Sequence, residues 1–489
     1  MLLKQLLSVL DCQEINGPAE MVISGLTTDS RVVEKGCLFI CLKGEHFDGH
    51  SFAAQAVSKG AAAVLTERPV AIPGGGATVV RVNSTDKALA PLGALYYGRP
   101  SQRLKVYAVV GTNGKTTSTY LLKSVFEQAG HRTGIIGTIR YVIGEEEIPA
   151  MNTTPNALDI QRLLYKMTEK GLTHVAMEVS SHAIKLGRID HCYFTGGIFT
   201  NITRDHLDFH TTFEDYLNVK AGFFTNLPAS GWSAINLDDP RSPDFIRASS
   251  SKVATYSKQR KADVYATDYK VGLDGVHYLL HASTGVMPID MGLRGEFNIS
   301  NSLGVAALAL HAEGIPLELV KRGLESVALV SGRMENVPVD ADFIVLVDYA
   351  HTDDALENLL HSVRKFAPRR IITVFGCGGD RDRTKRPLMG KVAVKLSDCV
   401  FVTSDNPRTE DPARILEDIR TGIDEIGYKN YAVIQDRRAA IYAAVAEAKK
   451  DDVVVIAGKG HETVQKFADI SVHFDDREVA REAVEELKK

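Results

Sequence analysis

The stretch GTNGKTT, Gly111 to Thr117, lies between an apolar run (KVYAVV) and a segment with apolar residues at helical spacing. Gly111 and Gly114 let a chain fold closely around phosphate oxygens, with backbone N–H groups and a helix N-terminus supplying positive potential. Thr112, Asn113 and Thr117 belong to the same cradle; Lys115 would neutralise β/γ-phosphates, and Thr116 would hold Mg²⁺. The full G-x-x-x-x-G-K-[ST] pattern fails at its first glycine, where Val109 stands. ATP is the expected ligand; a glycine turn opening a helix is the plain alternative.

Other reactive residue types cluster in the same manner. MEVSSH and NITRDHLDFH each end an apolar run and offer Glu178 and His206 as ligands for a divalent ion. Two amides in GEFNISN, Asn298 and Asn301, suit an adenine edge, although Asn298 or Ser300 could simply cap a helix. Arg333 in SGRME is a phosphate partner or a surface arginine. In VDYAH, Asp348 sits where a ribose hydroxyl contact is typical, with His351 beside it. GCGGDRD places three glycines before Arg381, which suits close approach to an anion. SDNPR sets Asp405, Asn406, Pro407 and Arg408 on a stiff turn, where an arginine can grip a carboxylate through two hydrogen bonds. Lys220, in YLNVKAGFF, is not singled out by chemistry, because a lysine on a helix is ordinarily a solvated charge.

The elements that must position these groups are strands with continuous apolar runs, as in parallel sheets covered on both faces. Seven clusters follow such runs: Gly111–Thr117, Glu178–His182, Asn201–Asp208, Asp348–His351, Gly376–Arg383, Asp405–Arg408 and Gly458–Glu462. Open α/β sheets bind ligands at the carboxyl ends of their strands, so seven together point to a site between domains. A chain of 489 residues suggests about three domains. The break at YYGRPSQRL and the change near Ser331 divide it into 1–97, 98–330 and 331–489. The fold class read here is α/β: a smaller α/β N-terminal domain, a central P-loop domain with a mostly parallel sheet, and a Rossmann-like doubly wound C-terminal domain.

Lysine and arginine number 57 against 61 acidic residues, so a general nucleic-acid binder is excluded and an anion must be held locally. Six scattered cysteines without a CxxC pair read as reduced thiols, and MLLKQLLSVLDCQE is too short and charged for a signal peptide or membrane span. A cytoplasmic monomer with no membrane span and small-molecule substrates is the expectation.

Taken with NTTP, DYAH and AGKGHE, these motifs and Lys220 resemble, in order and over essentially the whole chain, the Mur ligases of peptidoglycan synthesis. The resemblance implies that the N-terminal domain holds a UDP-linked acceptor, the central domain ATP, and the C-terminal domain an amino acid. Thr28, Ser30, Glu45, His46 and Phe47 would contact the uridine diphosphate part. Asn152, Thr153, Thr154, Ser180 and Arg188 would hold the muramoyl dipeptide, and Leu186 stands where some relatives carry glutamine. The lysine matching Lys220 is carbamylated by CO₂ in the family, becoming an oxygen ligand for a second Mg²⁺ with Glu178 and His206.

The implied reaction is ATP-dependent addition of meso-2,6-diaminopimelate to the D-glutamate of UDP-N-acetylmuramoyl-L-alanyl-D-glutamate through an acyl phosphate. Lys115, Lys220, Glu178 and His206 would carry the chemistry, by positioning and charge neutralisation. Arg381, Asp405, Asn406, Pro407, Arg408, Gly458 and Glu462 would bind the amino acid. Arg408 favours diaminopimelate over L-lysine, which lacks the second carboxylate. Rival readings are an L-lysine-adding homologue, a folylpolyglutamate synthase-like ligase, and a P-loop switch or motor with a protein partner.

Overall fold

The computed structural model describes residues 1–44 and 47–488. It groups into two compact units, one of 1–106, 132–175 and 179–194, the other of 107–131, 176–178 and 195–489.

In the first unit a five-stranded sheet runs in the order Cys12–Asn16, Thr78–Val82, Ala63–Thr66, Leu38–Ile40, Leu26–Thr27. Only the first pair is antiparallel. The helix Thr85–Tyr96 opens on Ser84, whose side chain accepts from the Lys87 N–H, the usual satisfaction of an orphan donor. It buries Leu89 and Leu92 in one core with Leu38, Leu65 and Leu158, the last from the helix Ala157–Glu169. An antiparallel meander, Thr133–Ile136, Arg140–Ile143 and Glu146–Pro149, lies in the same unit.

In the second unit, strands order as Gly285–Met291, Val276–Ala282, Val264–Val271, Lys252–Ser257, Trp232–Asn236, Gly196–Phe199, Lys105–Val110. The first three pair antiparallel and the rest parallel. The three antiparallel strands went unread in the sequence; aspartate and lysine interrupt the alternation of Val264–Val271, and glycine and aspartate that of Gly285–Met291.

A second sheet orders Glu335–Asn336, Ile344–Asp348, Val453–Ala457, Ile371–Phe375, Cys399–Val402, Tyr431–Val433, parallel except for its first pair. Its four longer strands are the apolar runs that precede Asp348–His351, Gly376–Arg383, Asp405–Arg408 and Gly458–Glu462, and they are buried on both faces. Leu346, Val400 and Val455 pack beneath the helices Asp353–Arg364, Lys385–Leu396 and Pro412–Asp424. Val345, Val347, Val454 and Ile456 pack beneath Arg437–Glu447 and Asp476–Glu486. This is the doubly wound arrangement, with period-2 burial dividing each strand between the two faces. Among the described residues no helix is long and apolar enough to cross a membrane.

Candidate active site

The strand Lys105–Val110 ends at Gly111, and the helix Lys115–Gln128 begins at its N-cap, Gly114. Gly114 has φ of +86°, and a Cβ there would lie 2.3 Å from Asn301 Oδ1. Only glycine fits both the left-handed turn and that approach. Asn301 in turn donates to Asn298 Oδ1 at 2.9 Å, and Asn298 donates to the Arg294 carbonyl at 2.6 Å. The helix Phe297–Ala312 takes Glu296 as its N-cap with no side-chain cap bond, so neither Asn298 nor Ser300 caps it.

The loop after Gly196–Phe199 braces the phosphate loop. Asn201 Oδ1 accepts from the Asn113 N–H at 2.9 Å, and Thr200 Oγ1 donates to the Asn113 carbonyl at 2.6 Å. The Thr112 hydroxyl is engaged by the Thr203 N–H at 3.0 Å and by Tyr216 Oη at 3.0 Å. Asn113 Nδ2 donates to Asp354 Oδ2 at 2.7 Å. The side chains of Thr112 and Asn113 therefore fix the loop, and the N–H groups of both residues are held by Asn201. Thr117 is buried on the helix's first turn.

Two lysines converge on one oxygen. Lys115 Nζ donates to the Gly111 carbonyl at 3.0 Å and to that of Thr112 at 2.8 Å; Lys220 Nζ donates to the same Gly111 carbonyl at 2.6 Å. Lys220 is not a solvated helical charge: on the buried face of Phe213–Thr225, it is 1% exposed. Burial, and then the neighbouring Lys115, push its amine well below the usual lysine range. Burial lowers Lys115 too, with Glu178 and Asp205 opposing.

Thr116 Oγ1 donates to Glu178 Oε2 at 3.0 Å and accepts from Arg333 Nη2 at 2.8 Å. Arg333 is thus a partner of the loop, its guanidinium stacked 4.9 Å over the Tyr349 ring, rather than a surface arginine. His206 sits at φ +55°, with Nε2 3.3 Å from Asp205 Oδ2. Burial alone would raise the Asp205 carboxyl, but His206, His351 and Lys385 hold it well below the usual carboxylate range. Burial and Lys385 lower the His351 imidazole, whose Nδ1 is 2.9 Å from the Tyr349 carbonyl. Both Asp348 oxygens accept backbone N–H groups, of Met334 and Ala350, each at 2.7 Å. The carboxylate thereby ties the SGRME loop to its own strand.

The second sheet carries the other cluster. Asp405 Oδ1 accepts from the Asn406 N–H at 2.7 Å, while buried Oδ2 has no hydrogen-bond partner. Gly458 at φ +118° makes room for it, since a Cβ would lie 2.5 Å from that oxygen. Arg408 Nη1 donates to the Gly379 carbonyl at 2.6 Å, which joins SDNPR to GCGGDRD. Arg381 lies in the same field as Arg408 and donates to the Asp380 carbonyl at 2.7 Å. Asn406 Nδ2 donates to Glu462 Oε2 at 2.8 Å. Pro407 stands within the turn and Glu410 just beyond it, and a carboxylate–arginine bond with buried Arg386 leads the effects that lower Glu410 to about 2. Arg437, ion-paired with Asp476 at 2.7 Å, donates to the Ser404 and Ala457 carbonyls, so one buried cation supports both strand ends. Arg437 was not singled out from sequence, whereas Asn201 and Asp205 stood in the Asn201–Asp208 cluster without roles of their own.

In the first unit, Thr154 Oγ1 accepts from the Ser180 N–H at 3.1 Å, and Arg188 Nη1 donates to the Thr154 carbonyl at 3.2 Å. Thr153 Oγ1 is 3.1 Å from Thr138 Oγ1, and the Asn152 carbonyl accepts from Tyr141 Oη at 2.9 Å. Burial lowers the Arg188 guanidinium, with Asp86 and Tyr141 opposing. Thr28 and Ser30 lie just beyond Leu26–Thr27, and Phe47 is exposed; Glu45 and His46 lie outside the described residues. Leu186 is exposed, at the end of the short helix Ser181–Lys185.

A glycine loop that opens a helix and a second polar loop cluster, at the carboxyl ends of parallel strands in one compact unit, are the arrangement of a ligand-binding α/β enzyme. Three family descriptions match: "Mur ligase family, catalytic domain" over 22–97, "Mur ligase middle domain" over 109–309, and "Mur ligase, glutamate ligase domain" over 332–460. The chain belongs to the Mur ligase family. It is 45% identical to the UDP-N-acetylmuramoyl-L-alanyl-D-glutamate–2,6-diaminopimelate ligase of Syntrophomonas wolfei subsp. wolfei, over 99% of each chain. It is 43% identical to the protein of the same name from Clostridium tetani, over 100% of both. A solved structure of a ligase with that name is 32% identical, with TM-score 0.64, covering 100% of this chain and 99% of the other.

Proposed function

We propose that this chain is the ATP-dependent ligase that joins meso-2,6-diaminopimelate to the D-glutamyl carboxylate of UDP-N-acetylmuramoyl-L-alanyl-D-glutamate, in the cytoplasm. The observation that carries the reading is Arg408, held by the Gly379 carbonyl beside Asp405, Asn406 and Glu462. That set offers a cation to a carboxylate and acceptors to an ammonium, the two groups that end diaminopimelate. The names of the full-length relatives support it. Residues 1–97, 98–330 and 331–489 serve the UDP-linked acceptor, ATP and the amino acid, divisions that the matched family spans support.

The γ-phosphoryl group of ATP passes to the acceptor carboxylate, and the amine attacks the resulting acyl phosphate and expels phosphate. Lys115 exchanges its two loop carbonyls for β/γ-phosphate oxygens, and the N–H groups of the first turn of Lys115–Gln128 face the same charge. Asn298, Asn301, Asp348 and His351 shape the nucleoside side. Thr116 and Glu178 supply hard oxygens 3.0 Å apart, a donor set that fits Mg²⁺, with His206 as a further ligand. Mg²⁺, when bound, neutralises charge on the transferring phosphoryl group. The depressed amine of Lys220 supports its carbamylation: the neutral nitrogen bonds CO₂ carbon and loses a proton, giving an anionic oxygen ligand. Thr28, Ser30, Glu45, His46 and Phe47 take the uridine diphosphate; Asn152, Thr153, Thr154, Ser180 and Arg188 take the muramoyl dipeptide.

ADP release with the acceptor and a panel of amino acids tests the reading. Activity with L-lysine but not diaminopimelate overturns the specificity. ADP release that needs no acceptor overturns the ligase assignment.

A further inference from the structure

Lys459 is fully buried, yet it lies outside every motif position assigned a ligand. Its ammonium donates to Asn406 Oδ1 at 3.0 Å, to Glu462 Oε2 at 2.9 Å and to the Val464 carbonyl at 2.6 Å. Three acceptors match its three donors. Two of them are side chains to which the proposed function gives the amino acid.

We propose that Lys459 is the positioning residue of the amino-acid subsite, locking Asn406 and Glu462 to each other from the neighbouring loop. The geometry leaves Asn406 one orientation. Its Oδ1 takes both Lys459 and the Lys466 N–H, the latter at 3.0 Å, so its Nδ2 must face Glu462. Lys459 and Asn406 follow Val453–Ala457 and Cys399–Val402, which are separated in the sheet by Ile371–Phe375. Two inter-strand steps come to roughly 10 Å, a gap that a long lysine side chain can bridge. Without the ammonium, the Glu462 carboxylate would lose its ion pair and the Asn406 amide could turn over. Either change presents the wrong sign or the wrong donor to an incoming zwitterion, while the phosphate loop keeps all the contacts described above.

The inference rests on the proposed function, and its test is read with whichever amino acid the wild-type enzyme uses. A wild-type enzyme that takes another amino acid counts against that function, not against Lys459. For Lys459→Met, KM for the amino acid rises about tenfold or more, as expected when a charged hydrogen-bond partner is removed. KM for ATP stays at the wild-type value, and discrimination against L-lysine falls. Lys459→Arg, which keeps charge and donors but not reach, gives the same split in smaller measure and serves if the methionine variant does not fold. An unchanged KM for the amino acid overturns the proposal. So does an equal rise in both KM values with a lowered Tm, which would mark Lys459 as purely structural.

Discussion

Lys220 and Lys459 are both withdrawn from water, at 1% and 0% exposure, and they are held in opposite ways. Lys220 donates to the Gly111 carbonyl, the same oxygen that Lys115 uses. Burial and a like charge favour its neutral form. Lys459 instead meets a carboxylate, an amide and a carbonyl, a complete set of acceptors. The Gly111–Thr117 loop thus brings two amines to one carbonyl oxygen, with the Glu178 carboxylate bonded to Thr116. The Asp405–Arg408 cluster holds Asn406, Glu462 and Lys459 in mutual bonds and leaves Asp405 Oδ2 open. A buried lysine's chemistry follows from its neighbours as well as from its burial.

The contrast can be broken at the phosphate loop first. Lys115→Met should lower kcat by about 10³-fold, the upper range for losing one charge-stabilising donor, in an ADP-release assay. Lys220→Met should cost about 10²-fold. In the unmodified protein, CO₂-free buffer should lower activity and added bicarbonate restore it, most sharply on the acid side, where a carbamate decomposes. Activity indifferent to bicarbonate would mean that the low amine pKa serves something other than carbamylation.

At the other cluster, Arg408→Ala should raise KM for diaminopimelate about tenfold to a hundredfold, the loss of a hydrogen bond to a charged group, and leave KM for ATP unchanged. Equal effects on both would make Arg408 structural. The smallest effect concerns acid stability. Glu410 lies at about 2 in the folded protein against 4.5 ordinarily, held foremost by Arg386. A depressed carboxyl stabilises the fold above its unfolded pKa and loses that contribution as pH falls through the folded one. Glu410→Gln should therefore melt lower than wild type at neutral pH, with the difference closing between pH 4.5 and 2.

Much of this was legible in the sequence because it is local. Gly114, Lys115 and Thr116 lie within three positions, and a strand–glycine–helix junction is specified by apolar runs and backbone freedom alone. The four long strands of the second sheet were likewise evident from continuous apolar runs, since burial on both faces removes the polar alternation. Its edge strands, Glu335–Asn336 and Tyr431–Val433, were not, being short and partly exposed.

What only the tertiary structure decided are the meetings between distant loops. The GTNGKTT motif determined that a phosphate could be held, and SDNPR that an arginine would stand on a rigid turn. That Lys220 reaches the Gly111 carbonyl, 109 positions away, depends on the helix Phe213–Thr225 turning that face inward. That Lys459 locks Asn406, 53 positions away, depends on a strand order that sequence does not spell out. Charge state and orientation follow from those encounters, because desolvation and pairing are properties of a three-dimensional neighbourhood and not of a residue type.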